Sequence, residues 1–237
     1  MKLRERKVMS ITKLGSILAV ASLMLATAGC YDEPVSAESV VSAEKRIYLK
    51  NTDLDHLTVE AVYEKGLVYD SHWTNLSSRV ENLEAFENSL KSIDYLNFDY
   101  NQLTNVDAVA SFTALKWLRL NNNKLSHLAG EFKNLSDLRS IYLRGNDFAQ
   151  IPDVFKDMPS LKSIDLSKNR RITEIPDWLA QKEGLEFLSF SCTAIKSLPK
   201  DISKWRSLKM LNLSGLMLSF EEMQRIRSAL PETTVVF

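Results

Sequence analysis

Leu115-Lys116-Trp117-Leu118-Arg119-Leu120-Asn121-Asn122-Asn123-Lys124-Leu125 decides the fold. Its pattern, apolar-x-x-apolar-x-apolar-x-x-Asn-x-apolar, returns in phase from starts at Ile93, Leu115, Leu138, Leu161, Leu185 and Leu208, 22 to 24 residues apart. The third copy runs Leu138, Ile141, Leu143, Asn146, Phe148. The fourth runs Leu161, Ile164, Leu166, Asn169, with Ile172 one residue late. The fifth keeps Leu185, Leu188, Phe190 and Ile195, and the sixth Leu208, Leu211, Leu213 and Leu218. A fixed period of this length means a solenoid, in which each unit buries its apolar face only against its neighbours.

Two spacings alternate within each unit. Leu118-Arg119-Leu120-Asn121 has the period of two that marks a half-buried strand, so successive units are expected to stack short strands into a parallel sheet. The return segments are spaced by three instead: Val109, Phe112, Leu115; Phe132, Leu135, Leu138; Phe155, Met158, Leu161; Ile202, Trp205, Leu208. Such residues share one face of a turn or short helix and close the core from the other side. The Asn at position nine is a polar group that burial tolerates only when it is hydrogen-bonded. Asn101, Asn123, Asn146 and Asn169 are expected to form a ladder that serves the turning backbone. Thr193 continues it in part and Leu216 does not.

This pattern resembles the leucine-rich repeat family, in the variant whose second half carries Leu/Ile-Pro, here Ile151-Pro152, Ile175-Pro176 and Leu198-Pro199. The resemblance covers roughly 93–218. It implies an α/β leucine-rich repeat solenoid, with a curved parallel sheet on the concave side and short helices or turns on the convex side. Six repeats are expected between an N-terminal and a C-terminal cap. In this family the ligand usually meets positions three, five, seven and eight of each copy. That places Tyr95, Asn97, Trp117, Arg119, Asn121, Tyr142, Arg144, Asp165 and Phe187 at the candidate binding face. Large aromatics beside arginine match the composition of interface hot spots. Trp117, Arg119, Tyr142 and Arg144 fall on adjacent repeats, which stacking brings together at about 5 Å per strand step. The competing reading is that these aromatics pack on one another and only stabilise the sheet.

The flanks carry different signals. Ser219-Phe220-Glu221-Glu222 is a capping box opening a helix with Phe220, Met223, Ile226 and Leu230 inward. Pro231 stops it, and 233–237 reads as a last strand covering the edge of the sixth repeat. Residues 219–237 are thus expected to be a C-terminal cap that leaves no room for a further domain. Residues 46–92 are read as an N-terminal cap, with a strand at 46–50 and a helix through Val80, Leu83, Phe86 and Leu90. A small separate domain is the competing reading, and about 45 residues make a marginal core.

Residues 1–29 read as a signal peptide. Five basic residues precede the apolar run Leu14–Ala26, which is too short to span a bilayer. Thr27-Ala28-Gly29-Cys30 resembles the lipobox of bacterial lipoproteins, with Thr27 where that family prefers Leu. The resemblance implies acylation of Cys30 and a membrane anchor, since several acyl chains hold where one does not. An ordinary secretory signal competes, leaving Cys30 as a free thiol. Asp32-Glu33 looks like the acidic export signal of Bacteroidota surface lipoproteins. It implies display at the outer face of the outer membrane, with a periplasm-facing anchor as the alternative. Residues 30–45 form a tether with an r.m.s. reach on the order of 20 Å.

Without residues 1–29 the chain holds 25 basic and 29 acidic residues, which argues against nucleic acid as a partner. Residues 30–114 hold 6 basic and 15 acidic, whereas 115–237 hold 19 and 14. With Cys30 acylated, Cys192 has no partner, so no disulfide is expected and Cys192 reads as a packing residue, a reactive thiol being the alternative. His56, His72 and His127 stand apart, no Cys-x-x-Cys occurs, and neither a Gly-rich phosphate loop nor a Gly-x-Ser-x-Gly elbow is present. No enzyme, metal or cofactor is expected. The sequence points to an anchored monomer at the bacterial envelope whose concave face binds a protein. Glycan binding and a purely structural role are the competing readings.

Overall fold

The computed structural model describes residues 46–52, 54, 55, 57, 58, 60 and 90–237. The expected signal peptide, the expected lipidation site at Cys30, the expected tether and the helix expected through Val80, Leu83 and Phe86 lie outside the described residues. So do His56 and His72.

Eight strands of three residues each form one open parallel sheet in chain order. They are β1 (Arg46–Tyr48), β2 (Tyr95–Asn97), β3 (Trp117–Arg119), β4 (Ser140–Tyr142), β5 (Ser163–Asp165), β6 (Phe187–Ser189), β7 (Met210–Asn212) and β8 (Thr234–Val236). The central residues of β2 to β7, from Leu96 through Leu118, Ile141, Ile164 and Leu188 to Leu211, are wholly buried. Their neighbours on the strand leave the core, as alternation requires.

The return arms explain the spacing of three. Four are 3-10 helices, at Asp107–Ser111, Gly130–Asn134, Asp153–Asp157 and Ser203–Ser207, and one is a single α turn, α1 (Asp177–Ala180). Three residues per turn place i and i+3 on one face. Phe112, Phe132, Phe155 and Trp205 accordingly sit at 1% exposure or less. Trp205 is buried whole because its indole N–H donates to the Leu179 carbonyl at 2.9 Å.

The asparagine ladder forms as expected. Asn123 Nδ2 donates to Phe98 O of the preceding coil and to Leu120 O of its own, while its Oδ1 accepts from Leu103 N. Asn146 and Asn169 repeat those contacts one coil further on, with Leu125 N and Phe148 N as donors. Thr193 manages a single bond, to Phe190 O, so the ladder thins toward the C-terminus.

The expectation about the N-terminal region changes, and the turns add a feature of their own. Residues 46–54 are a seventh coil: Ile47 pairs with Leu96, Leu49 and Leu54 are buried, and Thr52 stands at position nine. Asn101 bonds this coil, Nδ2 to Leu49 O and Oδ1 from Thr52 N and Leu54 N. In addition, position eight adopts positive φ in every coil, at Asn51, Tyr100, Asn122, Gly145, Lys168, Cys192 and Gly215. The chain leaves the sheet through a left-handed residue each time. At Gly145 a Cβ would lie 2.5 Å from Asn122 Oδ1, so a side chain there would displace the Asn122 amide besides straining the backbone.

The C-terminal cap is largely as read. Ser219 Oγ accepts from Glu222 N at 3.2 Å, opening α2 (Phe220–Ala229), and β8 pairs with β7. Phe220 is the exception, at 66% exposure. At 100° per residue it lies about 90° from the centre of the face set by Met223, Ile226 and Leu230. Polar bonds complete the docking. Arg225 donates to the carbonyls of Leu198, Pro199 and Lys200, and Glu222 Oε1 accepts from Leu198 N. Cys192, expected to lack a partner, is disulfide-bonded. The other half of that bond lies outside the described residues.

Candidate functional site

Positions three, five and seven of each coil leave the core on the concave side. Pairing is in register, so each position becomes a row across the sheet. The third-position row is Tyr95, Trp117, Ser140, Ser163, Phe187, Met210, and the fifth-position row is Asn97, Arg119, Tyr142, Asp165, Ser189, Asn212.

Seven of the nine expected residues are partly exposed on this face: Tyr95, Trp117, Arg119, Tyr142, Arg144, Asp165 and Phe187. Asn97 and Asn121 are not, at 5% and 7% exposure. Their short amides turn onto the backbone instead. Asn97 Oδ1 accepts from Asp99 N, and Asn121 Oδ1 accepts from Arg144 N. They order the wall and leave little polar surface to offer.

Asp99, at position seven of the first repeat, organises the cluster although it was not among the expected site residues. It is 2% exposed; one oxygen accepts from Arg119 Nε at 2.9 Å and the other from Asn121 N at 2.7 Å. Burial works against the Arg119 charge. The Asp99 carboxylate, by charge and hydrogen bond, with smaller help from Tyr95 and Tyr142, nevertheless holds its pKa above the ordinary value. The guanidinium also lies over the Tyr142 ring, 5.2 Å from its centroid, in cation–π contact. A sequence signal for Asp99 exists: an acid two residues past the strand, one coil before an arginine.

The gathering is narrower than repeat adjacency suggested. Arg119 meets Tyr142, but Trp117 and Arg144 stand at positions three and seven. Four residues of extended chain separate those levels by roughly 13 Å. Arg144 differs from Arg119 in another respect: its Nε and Nη2 are shielded from solvent and meet no acceptor.

Past Tyr142 the wall becomes plain. Ser167 and Ser189 hydroxyls lie 2.6 Å apart, and Ser214 Oγ donates to Ser191 Oγ at 2.9 Å. A separate cavity of about 490 Å³ is lined by Ser126, His127, Lys133, Asp153 and Lys156 among others. Lys156 and Asp153 pair with each other there at 2.7 Å.

Leucine-rich repeat family models match residues 107–148 and 160–181. Adenylate cyclase of Schizosaccharomyces pombe is 28% identical over 145 residues, which is 57% of this chain and 8% of the cyclase. A probable disease resistance protein of Arabidopsis thaliana is 31% identical over 102 residues, 43% of this chain and 13% of that protein. Lumican of Mus musculus is 32% identical over 111 residues, 45% of this chain and 31% of lumican. This chain therefore spans well under two thirds of each relative. Among solved structures, an internalin from Listeria monocytogenes superposes with a TM-score of 0.58 at 17% identity. That match covers 82% of this chain and 47% of the internalin.

Proposed function

We propose, from the premise that this chain carries a leucine-rich repeat solenoid, that it is an envelope-anchored binding protein whose concave face holds a protein partner. Leucine-rich repeat proteins typically mediate protein–protein interaction. The observation that carries the reading here is the partly exposed group of Tyr95 and Trp117 in one row and Arg119 and Tyr142 in the next, spread over three neighbouring strands. Aromatic and arginine side chains concentrate binding energy at protein interfaces. The rigid sheet beneath them keeps the ordering cost of binding low.

The test is capture of the partner by the full-length protein and by Trp117→Ala and Tyr142→Ala. Loss of capture with unchanged thermal unfolding supports the reading, and capture by both variants at full strength sinks it. A glycan reading has one observation in its favour: Tyr95, Trp117 and Phe187 fall in one row, as sugar-stacking platforms do. A glycan array run beside the capture separates the two.

The anchor and the address rest on Leu14–Ala26 and Thr27–Cys30. Lipid on the Cys30 sulfur and a disulfide from it to Cys192 exclude each other within one chain, because the chain has two cysteines. Mass analysis of the Cys30 peptide decides for the anchor if it carries acyl chains. Protease shaving of intact cells removes the repeats if they face outward and spares them if they face the periplasm.

A further inference from the structure

Two arginines sit in adjacent coils of the concave wall, and they are held in opposite ways. Arg119 is fastened to Asp99 and stacked on Tyr142. Arg144 has a fixed backbone, its amide bonded to Asn121 Oδ1 at 2.9 Å and its carbonyl accepting from Asn122 N at 2.7 Å. Its side chain is bonded to nothing. Nε and Nη2 are shut off from solvent with no acceptor, although the residue as a whole remains partly exposed.

Those two nitrogens share one edge of the guanidinium plane. Their N–H bonds run side by side at the spacing of two carboxylate oxygens, the bidentate geometry that arginine favours. Nearly all shielded donors in proteins are paired, so an edge with both N–H bonds idle is unusual. It also has a mechanical consequence. Moving this side chain into the groove forfeits no hydrogen bond, because only packing holds it, whereas moving Arg119 would break its bond to Asp99.

The surroundings narrow the ligand. At positions three, five and seven of the coils of β2 to β7 the cations are Arg119 and Arg144 alone, and Arg119 is already neutralised; Lys168 stands at position eight, one coil beyond Arg144. The unpaired edge of one guanidinium matches a singly charged, planar carboxylate. The neighbouring acids are engaged: Asp99 by Arg119, and Asp165 by the Ser167 amide at 2.8 Å.

We propose that Arg144 is a poised arm that grips an aspartate or glutamate side chain of the protein partner on the concave face. This rests on the reading of that face as a contact surface, and it supplies the partner's chemistry: an acidic segment.

The test titrates full-length protein in detergent with a capped ten-residue glutamate-rich peptide. Its glutamine counterpart, inorganic phosphate and polygalacturonate are titrated in parallel. Arg144→Met is compared with Arg139→Met, which removes an exposed rim cation. The expected result is saturable binding of the glutamate peptide alone, weakened about tenfold or more by Arg144→Met and little by Arg139→Met. Because the side chain makes no hydrogen bond in the fold, the melting temperature of Arg144→Met is expected to hold or rise. Equal losses in the two variants, no binding of the glutamate peptide, preference for phosphate or polygalacturonate, or a clear fall in melting temperature would each overturn the proposal. Partner capture lost in Trp117→Ala but retained in Arg144→Met would remove the arm and leave the concave contact surface standing.

Discussion

The first three and the last three repeats of the concave wall share a scaffold and differ in finish. Strand lengths, register and buried central residues are the same from β2 to β7. The N-terminal half carries aromatics, two arginines and a buried carboxylate. The C-terminal half carries mainly serines bonded hydroxyl to hydroxyl, with Asp165 and Phe187 among them and its ion pairs at the rim. There Glu186 bridges Lys162 at 2.7 Å and Lys209 at 2.5 Å. Since the core does not distinguish the halves, the difference belongs to the surface. Under the proposed reading, a wall with no arginine over half its length would direct a partner to the other half.

The ladder beneath the wall offers the largest test of that comparison. Asn123→Ala orphans Leu103 N and takes one of two donors from Phe98 O and from Leu120 O, which keep Asn101 Nδ2 and Asn146 Nδ2. With roughly 1–3 kcal/mol for the orphaned amide and about 0.5–1.5 kcal/mol for each other lost bond, a loss of about 3 kcal/mol is expected. Thr193→Ala removes one bond from a half-exposed site and is expected to cost about 1 kcal/mol or less. Urea unfolding measures both. Equal losses would mean that the two halves are not secured differently.

The charged cluster comes next. Asp99→Ala leaves Arg119 partly buried and unpaired and frees the Asn121 amide. Breaking a buried pair costs about 3–5 kcal/mol, which solvent screening at the partly exposed arginine reduces to about 2 kcal/mol. Ser189→Ala, its counterpart in the other half, loses one neutral bond to Ser167 and is expected to cost about 1 kcal/mol. A charged network that contributes no more than the serine pair would remove the structural distinction between the halves.

Much of this was legible in the sequence, for reasons that particular residues make plain. Strands, return arms, ladder and terminal helix were readable because period two, period three, asparagine at position nine and Ser219–Glu222 each have one physical cause. The seventh coil was hidden because Thr52 replaces the asparagine and because 49 residues, not 22 to 24, separate Ile47 from Leu96. The nine candidate residues came from the positions that the family resemblance implies, and strand alternation carries those positions out of the core. Alternation could not show that Asn97 and Asn121 fold back onto the backbone, since a short amide and a long aromatic occupy the same kind of position. Phe220 misled because a capping box fixes where a helix starts and not which of its first residues points inward.

Position eight gives a smaller and oppositely signed effect. Lys168 holds φ near 60° where the equivalent residues of other coils include Gly145 and Gly215. Relieving a left-handed non-glycine residue gains about 1 kcal/mol, less the chain entropy that glycine adds to the unfolded state. Lys168→Gly is therefore expected to raise stability by several tenths of a kcal/mol. Gly145→Ala should do the reverse by about 2 kcal/mol, because strain adds to the clash with Asn122. Thermal unfolding reads both signs, and destabilisation by Lys168→Gly would show that the lysine side chain contributes more than its backbone costs.

Acid tests the far end of the arc with the smallest effect. The hydrogen bond from Arg225, with the Leu198 amide assisting, holds the Glu222 carboxyl below the usual glutamate range, which is near ~4.3. A group depressed in the folded state stabilises the fold above its unfolded pKa, and that stabilisation drains away as pH falls through the folded value. The cap should therefore be unaffected from neutral pH down to about 5 and loosen below about 4. The loosening should be local, because α2 is also held by Ile226 and Leu230 in the core. Hydrogen exchange at the Leu198 amide, whose acceptor is Glu222 Oε1, is expected to speed up before the ladder amides Leu103 and Leu125 respond. Glu222→Gln keeps an acceptor oxygen but no charge, and it should abolish the acid step while leaving neutral-pH protection nearly intact. Simultaneous exchange at all three amides would mean that the cap and the wall open as one unit.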